Sequence, residues 1–383
     1  MPTRRKILVT GAASAVIIGG GLFAYDIFSP SLSEAREPWR QAAEGFGDTR
    51  LDILAYAILA PNPHNKQPWL IELIGTDRIR LLPDLARMLP ETDPPGRQIT
   101  IGFGAFLEQL RMAAAEKGYR AEITPFPEGA PQPVLDERPI ADVRLVRDPG
   151  IAHDPLFDLV LERHTNREHY EPRPATDRQF AAMRAALPEG VSLDWANTAE
   201  TVAPLKEIAT DAWMIEYQTP HTLKESIDVM RIGADEAVAN PDGIIIDGPM
   251  MEAANNLGIV TRETLADPES YAYAEGITMY TALIDASPSL CWLTTPDNSR
   301  ATQLATGAGW LRMQLAATRE GLAMQPLSQA LQEFPEMAEQ FARLHTHLGV
   351  GAPARVQGLF RIGHAPAIQP SPRWPLTSRL VDA

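Results

Sequence analysis

The chain has a single cysteine, Cys291, among 383 residues. An internal disulfide and any cysteine-built metal centre are therefore excluded. Cys291 lies in the apolar run SLCWLTT, which reads as a strand, so a buried, inert thiol is expected. Basic residues are also scarce: 34 Lys and Arg stand against 49 Asp and Glu, a formal charge of −15. Such a surface repels phosphate backbones, which excludes nucleic acid as a partner. Histidines number eight. His345 and His347, two apart on a helix, diverge, and no carboxylate constellation accompanies them or His164 and His169, so no metal site is expected. Proline is abundant, at 34 residues in a chain that is 45% hydrophobic. That combination means enforced turns and helix stops, not disorder. The length suits about two globular units.

The first residues stand apart. Arg4, Arg5 and Lys6 precede a run from Ile7 to Tyr25 without any charge. A basic head and an apolar run mark an export or anchoring segment. TRRKIL resembles the twin-arginine signature of proteins exported already folded around a cofactor. A twin-arginine-like signal or a single membrane anchor over 1–35 is therefore expected, with a periplasmic or periplasm-facing location. The chain is cytoplasmic if that reading fails. ILVTGAAS imitates the start of a dinucleotide-binding fold, but Ala15 and Ile17 stand where further glycines are needed.

Two stretches echo each other. GAFLEQLRMAAAEKGY begins at Gly104 and GAGWLRMQLAATREGL at Gly307. Gly104-Ala105 matches Gly307-Ala308, Ala113-Ala114 matches Ala316-Ala317, and Gly118 matches Gly321. Both read as helices with one apolar stripe, ending at a glycine cap. Small residues at intervals let two such helices approach closely. An internal duplication follows, with these helices as its seam. Around them the spacing predicts a helix over 51–60, a hairpin in WLIELIGTDRIRLL, and a strand in ADVRLV. It also predicts a helix from Asp154 to about Arg163, a helix capped by Thr176, mainly helical 204–285, and a late strand in QGLFRIGHA.

Two segments carry chemistry. In APNPHNKQPW (Ala60–Trp69), Pro61 and Pro63 stop the preceding helix, and Pro68 directs Gln67 into extended backbone. Asn62, Asn65 and Gln67 then offer neutral amides, suited to a flat heterocycle with carbonyls and an N–H at its edge. In RHTNREHY, Arg163 and Arg167 bracket Thr165 at a helix end, a phosphate clamp of forked donors and a hydroxyl. The tail RIGHAPAIQPSPRWPL adds Arg361 and a proline-framed Arg373.

Together these pieces resemble the nitroreductase superfamily of FMN proteins, in its Acg-like, double-length, single-chain form, over roughly residues 51–376. The resemblance implies an α+β, nitroreductase-like fold in two fused copies, 36–150 and 151–383, forming an intramolecular pseudo-dimer. It implies FMN held by Arg163, His164, Thr165 and Arg167 in the clamp and by Asn62, His64, Asn65 and Gln67 in the amide segment. Arg373 in the tail and Pro326, Leu327 and Ser328 beside the ring complete the set. Asn62 and Pro63 replace the usual small Ser pair, and Trp374 stands where a second Arg is frequent. Each half keeps the segment that the other lacks, so one FMN per chain is expected. The implied activity is ping-pong reduction of a flat, electron-poor small-molecule acceptor, with NAD(P)H or another donor and no catalytic residue from the chain. The alternative is flavin storage or sensing, with 213–285 as a lid.

Overall fold

A computed structural model describes residues 32–382. The export or anchor segment over 1–35 lies almost wholly outside them. No helix among the described residues is long and apolar enough to cross a membrane. The strands, in chain order, are β1 (Trp69–Ile74), β2 (Arg78–Pro83), β3 (Tyr119–Pro125), β4 (Ala141–Arg147), β5 (Ser192–Ala196), β6 (Met230–Ile232), β7 (Ile244–Ile246), β8 (Ser289–Thr295), β9 (Ala323–Pro326), β10 (Arg355–Gly363) and β11 (Leu380–Val381). They form a five-stranded sheet in the order β11-β1-β2-β4-β3, a four-stranded sheet in the order β5-β8-β10-β9, and the small pair β6-β7.

Two 20-residue helices, Arg97–Glu116 and Arg300–Arg319, cross between the sheets. At the crossing neither chain tolerates a side chain. A Cβ on Gly104 would lie 2.0 Å from the Leu304 carbonyl oxygen, and one on Gly307 would lie 1.9 Å from that of Ile101. Most of both helices is buried, including Phe106, Leu110, Leu311 and Met313. Each ends at a left-handed glycine, Gly118 at φ +74° and Gly321 at φ +70°, and passes directly into β3 or β9.

The element order repeats. Ahead of the first crossing helix come β1 and β2, and after it β3 and β4; β5 and β8 stand ahead of the second, β9 and β10 after it. In each sheet these four strands lie side by side in the same antiparallel order, the last of the four sitting between the second and the third. The β1–β2 connection is a tight Gly75-Thr76-Asp77 turn, whereas β5 and β8 are separated by an insertion of helices carrying β6 and β7. The end of the chain returns to the first sheet, where Leu380 and Val381 pair in parallel with Ile71 and Glu72.

Two local expectations are corrected. Residues 154–163 do not form an α-helix; only a 3-10 turn, Phe157–Leu159, is present. Leu156 and Val160 are both drawn into the core, and the chain must then reverse to bring Arg163 inward. Gln67 is not extended but left-handed, at φ +49°. Its N–H turns back to Asn62 Oδ1 at 2.7 Å, a loop too tight for extended backbone. Residues 204–285 are mainly helical, with the β6-β7 pair among the helices. Cys291 is fully buried in β8, and burial pushes its thiol up.

Gly104→Ala is expected to cost about 2–3 kcal/mol through overpacking against backbone, read as a lower urea midpoint at unchanged slope. Gly150→Ala, whose new Cβ meets nothing closer than 3.7 Å, should change stability by less than about 0.5 kcal/mol. Equal midpoints would refute the close crossing.

Candidate functional site

The helix Thr49–Ala57 ends beneath the loop 60–68, and its last carbonyls attract cations. Arg163 Nη2 and Arg373 Nη2 both donate to the Leu59 carbonyl, each at 3.1 Å. Arg163 also reaches Gln314 Oε1 on the second crossing helix at 3.1 Å, and Arg373 Nη1 reaches Asn65 Oδ1 at 2.6 Å. The two guanidiniums are only 2% and 4% exposed. Burial lowers Arg163 to about 10; burial, with Arg163 beside it, lowers Arg373 to about 9. Both remain cationic at neutral pH. Trp39 flanks the cluster, 5.4 Å from the Arg373 guanidinium and edge-on to His164.

The clamp spacing works through a different geometry from that expected. Thr165 is in extended backbone, bridged in parallel to Met324, and alternate residues of extended chain share a side. Between the two arginines the chain is thus bridged to β9 and not wound as a helix. The Thr165 hydroxyl and the Arg167 guanidinium make no hydrogen bond to any described residue. Arg167 keeps much of its surface accessible, while desolvation of its guanidinium lowers its pKa.

The loop opposite is strained. His64, Asn65 and Gln67 all sit at left-handed φ, +47°, +50° and +49°, on the order of 1 kcal/mol each. The expectation of free amides is corrected here, because all three are engaged by protein. Asn62 Nδ2 donates to the Ala60 carbonyl, and Asn65 Nδ2 to that of Pro372. Gln67, fully buried, donates to the carbonyls of Asn65 and Pro241 and accepts from the Trp374 N–H at 2.9 Å. The amides thus build the loop and clasp the tail and the insertion to it. His64 lies near Arg167; burial and that charge hold its imidazole down at about 4. Burial, Arg163 and Arg373 hold His164 at about 3. Pro326 ends β9 opposite Phe360. Leu327 is fully buried, and the half-buried Ser328 opens the turn Gln329–Leu331.

Orphaned polar atoms gather here. Arg163 Nε, Arg373 Nε, His64 Nδ1 and His164 Nδ1 are buried without a hydrogen-bond partner. Among the described residues, no carboxylate is ion-paired to Arg163, Arg167, Arg361 or Arg373. Nor does any group of three or more His, Cys, Asp or Glu there sit where it could hold a metal. Buried polar groups without partners are uncommon in folded proteins, and the two arginine Nε–H groups are donors at a cationic centre: an anion fits them.

No protein-family model matches the chain. Over 335 residues it is 27% identical to the Mycobacterium tuberculosis protein named "Putative NAD(P)H nitroreductase Rv3131", covering 85% of this chain and 89% of that one. Over 331 residues it is 26% identical to "Putative NAD(P)H nitroreductase acg" of the same organism, covering 84% and 90%. The chain is a relative of the Acg-type proteins. Among solved structures, the FMN-dependent nitroreductase NfnB of Mycobacterium smegmatis, in complex with NADPH, is 17% identical, with 58% of this chain and 96% of that one covered at a TM-score of 0.34.

Sequence reasoning missed buried charge both along the seam and beside the site. Arg97 and Arg300 begin the two crossing helices and are both buried; the offset that pairs Gly104 with Gly307 also pairs them. Asp242 of the insertion, 3% exposed, joins Arg87 of the first lobe, Arg231, and Trp374 Nε1 at 2.8 Å. No local pattern marks it.

Sulfate or inorganic phosphate should stabilise the protein, and Arg373→Met should lose most of that gain; linkage sets it at about 2.7 kcal/mol for an anion at a hundred times its dissociation constant. An equal rise in melting temperature for both proteins would refute the anion site. The two histidines contribute to the acid response. Their folded values lie below the ordinary 6.5, so the unfolded chain binds their protons first. Their contribution is fully present above about 6.5 and is lost as pH falls from there, levelling off near 4 for His64 and near 3 for His164. His64→Gln should flatten the upper part of that fall in urea titrations; an unchanged slope would count against the buried neutral imidazole.

Proposed function

We propose that the chain is an FMN-binding oxidoreductase of nitroreductase type. The carrying observation is the buried group of guanidiniums without carboxylates, in a chain of net charge −15. An uncompensated buried cation is strongly destabilising, and a phosphate dianion offsets it. Arg163, Thr165, Arg167 and Arg373 would hold the phosphate, and the strained loop 62–67, together with 326–328, would border the ring. FMN, when bound, supplies the electron transfer between a donor and a flat, electron-poor acceptor. The chain's residues bind it, orient it and exclude water from it. The names of the relatives support a nicotinamide donor.

We infer further that the chain is a fused pseudo-dimer with one such site. The repeated strand order and the shared offset of 203 residues support the duplication. The counterpart of Gln314 on the first crossing helix is Arg111, and the surroundings there differ in charge. Glu108 takes Arg111 at 2.7 Å and Arg312 at 2.8 Å, and Asp154 takes Arg312 at 2.6 Å. That end of the seam is already neutralised and has no need of an anion. The boundaries 1–35, 36–150 and 151–383 remain our division of the chain, with export or anchoring through the first segment. Storage or sensing is the second reading. It is favoured by the clasp of Pro241, Asp242 and Gly243 on Gln67, Arg87 and Asn65, which would hold the insertion over such a site.

Flavin absorbance against protein mass should give one FMN per chain; a ratio of two would overturn the single-site reading. Mixing with NADPH should bleach the flavin band rapidly in a reductase. A band that persists favours storage or another donor.

A further inference from the structure

The insertion does more than cover the site. Its helix Tyr271–Asp285 carries Tyr280, whose ring lies flat on Trp213 with centroids 4.6 Å apart and planes 10° apart. The other neighbour of Trp213 in this stack is Tyr217, 4.7 Å away. The ring of Tyr280 is therefore fixed. Its phenol oxygen accepts a hydrogen bond from Gln329 Nε2 at 3.1 Å, directly after Ser328. The phenolic proton finds no acceptor among the described residues.

The Tyr280 phenol and the Arg167 guanidinium lie close enough to act on each other's charge, and Arg361 holds the backbone beside both. It is fully buried in β10. Its Nη2 donates to the carbonyls on either side of Arg167, Glu168 at 2.7 Å and Asn166 at 3.4 Å. Its Nη1 donates to the Leu283 carbonyl at 3.4 Å, on the same helix face as Tyr280, three residues on. Tyr170 finishes the brace, stacked 3.9 Å from the Arg361 guanidinium with its hydroxyl on the Asn166 carbonyl at 2.8 Å. One buried guanidinium thus holds both the loop that presents Arg167 and the helix that presents Tyr280. Two sets of unspent donors meet where no protein acceptor stands, so the acceptor comes from a ligand. Burial pushes the phenol up to about 12, which keeps it a donor at neutral pH.

We propose that Tyr280 donates its phenolic hydrogen to the same anionic oxygens that Arg167 binds, so that the insertion contributes a ligand of the phosphate site. The inference rests on the anion reading given under the proposed function. A ligand shared between lobe and insertion links binding to closure: the anion favours the closed insertion, and the closed insertion binds the anion more tightly.

The test uses the full chain, freed of flavin and titrated with FMN, riboflavin and inorganic phosphate. Tyr280→Phe should weaken FMN and phosphate about tenfold and leave riboflavin unchanged. Tyr217→Phe, in the same stack but with its hydroxyl on the Tyr273 carbonyl, should move none of them. In the wild type, saturating phosphate should slow proteolytic cleavage within 249–285. Wild-type affinity for FMN in Tyr280→Phe overturns the proposal, as does an equal loss for riboflavin and FMN. Unchanged proteolysis of the wild type at saturating phosphate overturns it independently of any variant. Failure of the wild type to bind either FMN or phosphate is a distinct result, and it removes the anion reading itself.

Discussion

Backbone against backbone at Gly104 and Gly307 is the constraint from which the rest follows. Helices crossing this closely bring their neighbouring turns into register, and the side chains that emerge beyond the crossing are thereby placed. Gln314 meets Arg163 on one side, while Arg111 and Arg312 meet Glu108 and Asp154 on the other. Any side chain larger than hydrogen at the crossing would move both sets. The shared core, which runs unbroken from Trp39 to Leu376, leaves little room for the two sheets to shift and accommodate it.

The two sides of the seam illustrate opposite uses of buried charge. Where carboxylates accompany the arginines, the network closes on itself and serves the fold. Where they are missing, the buried guanidiniums are met by carbonyls and amides alone. Local strain accumulates on that same side, in the three left-handed residues of the loop and the neutral histidines beside it. A site built this way trades stability for affinity, as preorganised sites commonly do. Arg361 shows how such a site is kept from collapsing: its own donors go to carbonyls, so it braces the loop without quenching the positive field.

Much of this was legible from local pattern. The Gly-Thr-Asp turn gave the β1-β2 hairpin, the Thr176 cap began its helix, and the spacing of the Gly and Ala residues identified the crossing pair. The R-x-T-x-R segment could be recognised from its residue types, although its backbone could not. A clamp in extended chain and one on a helical turn use the same letters, and the bridge of Thr165 to Met324, 159 residues on, is what distinguishes them. The partners of the amides of loop 60–68, Pro241, Pro372 and Trp374, could not be foreseen because they lie far along the chain. Asp242 and Tyr280 had no signal for the same reason: their meaning comes entirely from what the insertion is folded against.

The return of β11 to β1 has a mechanical consequence. Leu380 and Val381 are tied to Ile71 and Glu72, and Arg373, a few residues earlier, is tied to the Leu59 carbonyl. Peeling the tail from the edge of the first sheet therefore also draws a guanidinium away from the loop, so that fraying of one short strand and loss of a cation from the cluster are a single event.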